Sequence, residues 1–205
     1  EIVNYESPLN YIGSKSKIIS EIKNNLPDNF DSFIDLFGGG FNVGINVKKD
    51  KVIYNEINPF VKGLVESFKV HDTYKYLLYV NKIIKKFKLE KANAKGYLKV
   101  RDYYNSLPLN KRDPRLLYTI ILYGYNQQIR FNGNFNFNNP VGMRWFNNKV
   151  LEKMISFSRI IKEKNIAFEC RDYIELESII KQGTFVYMDP PYRLTQGSYN
   201  DGKRG

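Results

Sequence analysis

With 205 residues, 42% of them apolar, the chain has the size of one domain, or of a core carrying one modest insertion. One cysteine, Cys170, and one histidine, His71, exclude an internal disulfide and a zinc cage, so no metal is expected, and they argue against metal-dependent hydrolysis or a Cys-His nucleophile pair. A formal charge of +11 suits a polyanionic partner, although an AT-rich coding bias toward Lys, Asn, Ile and Tyr produces the same excess. No apolar run reaches the roughly 18 residues of a membrane helix and no signal-peptide pattern opens the chain, so no membrane association and a cytoplasmic protein of prokaryotic or phage type are expected.

Along the chain, Lys15 to Leu26 places Ile18, Ile19, Ile22 and Leu26 at helical spacing before Pro27, behind a Tyr11-Ile12-Gly13-Ser14 loop. Phe33-Ile34-Asp35-Leu36-Phe37 reads as a short buried strand that runs into Gly38-Gly39-Gly40, and Phe41 to Val47 reads as a helix. Val52 to Asn55 is a second strand ending at Glu56, and Pro59 to Phe68 is its helix. From His71 to Arg115 the chain is rich in Lys and Tyr with helical spacing (Tyr76, Leu77, Val80, Ile83, Ile84, Phe87), which predicts an inserted helical segment.

Leu116 to Tyr123 is apolar, and Gly124 to Gly142 is dense in Asn, Gly and aromatic residues, which favours a hairpin or loop. Leu151 to Lys164 returns to helix, Ile166 to Cys170 to strand, Glu175 to Lys181 to helix and Thr184 to Met188 to strand. Strands alternating with helices predict a mostly parallel sheet of α/β class, and such sheets bind ligands beyond the carboxyl ends of their strands. Gly38, Glu56, Asp172 and Asp189 all fall at such ends.

The Phe37 to Gly40 turn lets a backbone approach a ligand closely, but it matches neither GxGxxG nor a Walker loop. A nucleoside against the turn and a tight turn with no ligand both fit it. Glu56 lies about 20 residues beyond the glycines, where a carboxylate can accept hydrogen bonds from both ribose hydroxyls, or can serve as a charge at a helix start. Asp189-Pro190-Pro191-Tyr192 follows an apolar strand, and its prolines stiffen the turn so that a carboxylate and a backbone carbonyl converge on one point. Two acceptors so placed hold both hydrogens of an exocyclic amine, and Tyr192 can stack on an extruded base; a plain rigid turn is the alternative.

Asp189-Pro190-Pro191-Tyr192, together with the Phe33 to Gly40 run, resembles the methyltransferases that act on exocyclic amines of DNA. Pro8-Leu9-Asn10-Tyr11-Ile12-Gly13-Ser14-Lys15 resembles the cofactor motif of the alpha-ordered, D12-class group typified by Dam-type adenine-N6 enzymes. In that group the recognition segment lies between the glycine turn and D-P-P-Y, as the insertion does here. Tyr123 to Asn132, Phe135-Asn136 and Pro140-Val141-Gly142 resemble its DNA-reading hairpin.

The resemblance implies a Rossmann-like, S-adenosylmethionine-dependent sheet, with a cofactor-binding catalytic domain over 1–70 and 165–205 and a target-recognition domain over 71–164. It implies S-adenosylmethionine held by Tyr11, Lys15, Asp35, Phe37, Gly38, Glu56, Asp172 and Tyr173, and transfer at Asp189, Pro190, Pro191 and Tyr192. It further implies double-stranded DNA as partner, read by Tyr125, Asn126, Gln128, Arg130, Asn132 and Pro140, with GATC the first sequence expected. Arg bidentate to guanine and Asn or Gln bidentate to adenine give that readout a chemical basis. The same turn chemistry serves cytosine-N4 or RNA amines, and a non-catalytic DNA-binding module is the alternative from another class. The family continues beyond D-P-P-Y with further sheet elements, so a complementary C-terminal fragment or subunit, a longer chain or an inactive remnant is expected.

Overall fold

A computed structural model describes residues 5–9, 19, 22, 24–27, 29–48 and 50–188. The described strands form one parallel sheet in the order β3-β2-β1-β4, with β1 Ser32–Asp35, β2 Val52–Asn55, β3 Ile166–Glu169 and β4 Thr184–Tyr187. Register aligns Asp35 with Tyr54 on one side and Tyr187 on the other, and Asn55 with Glu169, so the strands end at a common edge. The central strand β2 is buried throughout, whereas β3 and β4 are half-buried.

Each regular helix that begins within the described residues starts on an Asn or Asp whose side chain accepts from its first backbone N–H groups. Asn58 caps α1 (Pro59–Val70), Asp72 caps α2 (Thr73–Phe87), Asn93 caps α3 (Ala94–Ser106), Asp113 caps α4 (Pro114–Tyr123) and Asn147 caps α5 (Asn148–Glu163). Pro59 and Pro114 occupy the first helical turn, where their fixed φ costs no hydrogen bond. The expected helical periodicity of α2 holds: Tyr76, Val80 and Ile83 are buried, with Leu77, Ile84 and Phe87 partly buried beside them.

Helix α4 is the hub of the helical layer. Its residues from Leu116 to Tyr123 are all buried, and it packs against α1, α2 and α3. A helix buried on every side belongs inside a core. Phe68 of α1 stacks on Tyr76 at 5.1 Å and meets Tyr118 and Phe157 edge-on, at 5.1 and 5.7 Å, joining α1, α2, α4 and α5 through rings. One apolar core runs from β2 into these helices, continuous across residues 70 and 164.

Two expected helices take another form. Phe41 to Val47 is a pair of turns with a single 3-10 turn at Gly44–Asn46. Phe41 sits in the left-handed region (φ 67), and Asp35 accepts from Gly44 N at 3.1 Å, so side-chain bonds replace the helical ladder. Glu175 to Lys181 is likewise a 3-10 segment over Tyr173–Ile179, with only Leu176 buried as an anchor. Of the predicted 15–26 helix, Ile19, Ile22, Asn24, Asn25 and Leu26 are described; the first four are helical and Leu26 is a bend.

The carboxyl ends of α1 and α5 cap each other. Lys69 donates to Ile161 O (3.0 Å), Lys162 O (3.4 Å) and Lys164 O (2.5 Å), while Lys162 donates to Phe68 O (2.5 Å). Each ammonium meets carbonyls at a helix end, most of them without an intrahelical partner, and the end dipole favours the charge. Lys69→Met, which keeps the apolar stem, is therefore expected to cost roughly 1–2 kcal/mol of unfolding free energy, read from the midpoint of a urea titration.

Candidate functional site

The described part of the site is built on the turn that follows β1 and on the end of β2. Gly38 N donates to Asn55 O at 2.7 Å, and Phe41 N donates back to Gly38 O at 2.8 Å, so the turn is tied to the neighbouring strand. A Cβ on Gly38 would collide with the Tyr54 ring. Gly39 adopts φ 49, and its carbonyl accepts from the Tyr54 hydroxyl at 2.6 Å. Glycine is therefore required at 38 for space and favoured at 39 for its dihedral.

Three successive residues at the end of β2 hold the surrounding turns and strand ends. Tyr54 holds the glycine turn. Asn55 donates to Leu36 O (3.1 Å) and Arg171 O (3.0 Å) and accepts from Arg171 N (3.0 Å), tying the ends of β1 and β3 together. Glu56 is buried, and its two oxygens accept from Gly39 N at 3.3 Å and Asn58 N at 2.8 Å. Burial pushes its carboxyl up to about 7; the two backbone donors pull it back, and the nearby Asp35 carboxylate adds to the rise.

The sequence-predicted cofactor residues within the described regions gather at this edge. Asp35 is buried at the end of β1; Phe37 and Tyr173 meet with ring centroids 5.9 Å apart, and Tyr173 remains exposed. Asp172 is exposed and caps the segment after β3 by accepting from Ile174 N at 3.1 Å. Tyr11, Lys15, Asp189, Pro190, Pro191 and Tyr192 lie outside the described residues.

The residues fit a nucleoside-bearing group on direct grounds. The Asn58 amide Nδ2 is buried without a hydrogen-bond partner, although its Oδ1 caps α1 and its backbone N–H holds Glu56. A buried carboxylate, an unsatisfied amide donor, a glycine turn without side chains and an aromatic pair together suit a ribose and a flat heterocycle.

The expected DNA-reading residues share one irregular hairpin. Its arms touch through two isolated antiparallel bridges, Gly124 with Val141 and Phe131 with Phe137, and Tyr125 N donates to Pro140 O at 2.8 Å. Tyr125, Gln128, Arg130 and Pro140 are exposed, while Asn126 and Asn132 are half-buried. Asn132 organises the tip, its Oδ1 accepting from Asn134 N and Asn136 N at 2.9 and 3.0 Å. Asn126 and Gln127 both have left-handed backbones, with φ of 51 and 52.

Several side chains that hold this arrangement went unmarked in the sequence. Asn139 is buried and donates to Tyr125 O (2.9 Å) and Gln128 O (3.2 Å), while its own carbonyl accepts from the Tyr97 hydroxyl at 2.6 Å. Phe60, in the first turn of α1, stacks on Phe131 at 5.8 Å and so joins the cofactor side to the hairpin. Asn139 stands in the Asn-Asn-Pro run, whose only local signal is turn chemistry.

A profile of the D12 class N6 adenine-specific DNA methyltransferases matches residues 11–202. The chain belongs to this family. Among its relatives, the type II methyltransferase M.FokI of Planomicrobium okeanokoites is 40% identical over 203 residues, covering 98% of this chain and 31% of the relative. The type II methyltransferase M.MjaIII of Methanocaldococcus jannaschii is 30% identical, over 90% of this chain and 68% of its own length. The DNA adenine methylase of Escherichia coli (strain K12) is 26% identical over 94% of this chain and 66% of its own. The chain thus spans about a third of the length of M.FokI and of the similar methylases StsI and LlaI. Within this D12-class chain, the sheet edge and the hairpin occupy the segments that the resemblance assigns to cofactor and DNA.

Two measurements check the site. Replacing Gly38 with Ala is expected to cost roughly 1–3 kcal/mol by displacing the Tyr54 ring, read by urea unfolding. Glu56 is expected to contribute stability that is fully present below its unfolded pKa and lost as pH rises through about 7. Relative to Glu56→Gln, the ligand-free protein should lose up to about 3 kcal/mol between roughly pH 4 and 8. A stability difference that does not change with pH would contradict the raised value.

Proposed function

We propose that this chain is the cofactor-binding and DNA-reading part of an enzyme that moves a methyl group to N6 of adenine in double-stranded DNA. The observation that carries this reading is the convergence of the Gly38-Gly39 turn, the buried Glu56 carboxylate and the Phe37–Tyr173 pair at one sheet edge, in a chain of the D12 class. S-adenosylmethionine would supply the methyl from its sulfonium. Glu56 would accept from its ribose hydroxyls, Phe37 and Tyr173 would flank its adenine, and the Gly38 backbone would approach it closely, with Asp35, Asp172, Tyr11 and Lys15 completing the shell.

Asp189 and the Pro190 carbonyl are proposed to accept the two hydrogens of the target amine, which directs the nitrogen lone pair toward the methyl. Pro191 stiffens the turn and Tyr192 stacks on the base once it leaves the duplex. Alignment then carries the rate: the amine attacks in line, no covalent enzyme intermediate forms, and the proton leaves after transfer. The segment 71–164 serves as the target-recognition unit and 1–70 with 165–205 as the catalytic one. Tyr125, Asn126, Gln128, Arg130, Asn132 and Pro140 face the DNA, and the charge of +11 favours its phosphates. The relatives carry the matched region within longer single chains, and they lend no support to a separate complementary subunit.

Asp189→Ala in the full-length protein is expected to lower methyl transfer to duplex DNA by at least about a thousandfold, with labelled-cofactor binding retained. Digestion and mass spectrometry of the product should report N6-methyladenine; N4-methylcytosine, or wild-type activity in the variant, would overturn the proposal. Sequencing of methylated plasmid then reads the target, with GATC tested first.

A further inference from the structure

The hairpin that carries Gln128 and Arg130 lacks a continuous ladder, its arms pairing only at the two isolated bridges. Because side chains alternate along an extended segment, a slip of one residue would turn Arg130 away from where it now points. The backbone bonds of the bridges oppose that slip, Asn138 N to Arg130 O at 3.0 Å among them, and two side chains outside the hairpin brace its tip. Asn105, near the end of α3, donates to Phe137 O and accepts from Phe137 N, both at 2.8 Å, pairing with that residue as a neighbouring strand would.

Arg112 is the second. Its guanidinium carbon lies 5.3 Å from the centre of the Phe60 ring and 5.0 Å from that of Tyr104. Nε donates to Leu107 O at 3.3 Å, one terminal nitrogen to Phe135 O at 2.5 Å, and the other to Asn105 O and Asn136 Oδ1 at 3.1 and 3.0 Å. All three nitrogens are engaged within the protein, and four of the five N–H groups donate to protein acceptors. The planar fork reaches acceptors in different directions while stacking on rings, which a lysine ammonium does not do. Phe60, under the guanidinium, also stacks on Phe131 and lies beside Phe135 at 5.6 Å. Helix α1, which starts beside Glu56, and the hairpin tip therefore share one clamp.

We propose that Arg112 is a specificity-positioning residue: it fixes the register of the hairpin and so decides which base edges Gln128 and Arg130 reach, without touching DNA itself. This rests on the DNA-reading role proposed above for the hairpin. Loss of the clamp leaves the exposed cations and the cofactor edge in place, so discrimination between sequences falls more than affinity for DNA as such.

The test compares Arg112→Lys and Arg112→Ala with wild type in the full-length protein. Methylation of the cognate duplex is measured against duplexes with single base-pair changes, alongside the salt dependence of DNA binding and the Tm. Both variants are expected to lose about tenfold in the cognate-to-mismatch ratio of kcat/KM, the scale of one bidentate base contact, with Lys giving no rescue. The salt slope is expected to stay at the wild-type value. A slope lower by about 1 in Arg112→Ala and restored by Lys marks a phosphate contact and overturns the proposal. Wild-type discrimination in either variant, with or without a lowered Tm, overturns it as well and leaves the functional reading standing. A wild-type enzyme that methylates no DNA, or methylates without sequence preference, overturns both.

Discussion

The Tyr54 ring occupies the space that a Cβ on Gly38 would need, and its hydroxyl closes on the carbonyl of Gly39. That contact draws the turn after β1 down onto β2, which brings the Gly39 N–H to the Glu56 carboxylate and buries the glycine backbone beside it. Asn55 then binds the ends of β1 and β3 to the same strand. Tyr54, Asn55 and Glu56 thus convert a four-residue strand into the frame of the candidate cofactor site. The cost is a buried acid whose ionisation is resisted by desolvation and by Asp35. A site that offers two hydroxyl donors to Glu56 would relieve part of that cost.

Much of this frame was legible in the sequence. The four strands fall within one or two residues of their expected spans, because short apolar runs bounded by Gly, Pro and Asn admit few other forms. The glycine turn and Glu56 stand at the strand ends where the sequence placed them, although spacing alone left a plain turn and a helix-start charge as alternatives. The Phe41 to Val47 segment was not, because Asp35 and Asn46 offer its backbone side-chain partners that outcompete the helical ladder. The Asn105–Phe137 and Tyr97–Asn139 contacts were equally hidden: each joins residues more than thirty positions apart, and neither partner differs locally from an ordinary helix or loop residue. Local periodicity reports which face of an element is buried, and it carries no information about which distant backbone a side chain will grip.

The hairpin shows the same division of labour. Its tip is held by Asn132 from within, and its base by Asn139, Tyr97 and Arg101 from the buried side. Between them, Asn126 and Gln127 adopt successive left-handed dihedrals, a conformation that costs ordinary residues about 1–3 kcal/mol each. Gln127 Nε2 donates to Leu122 O at 3.0 Å and Asn139 fixes the flanking carbonyls, so the surrounding bonds hold the backbone there. Exposed Tyr125 and Gln128 are consequently presented from a stiff support.

The mutual lysine caps of α1 and α5 have a consequence for how such a chain can diversify. They pin residue 69 to the 161–164 carbonyls, so everything from 71 to 160 leaves and returns at one stapled point. Closing a longer or shorter excursion between fixed ends changes the chain entropy only with the logarithm of its length. Beyond that staple, the loops between the helices can change length at little entropic cost, whereas the helices themselves share one core with α1 and β2 and stay coupled to the sheet.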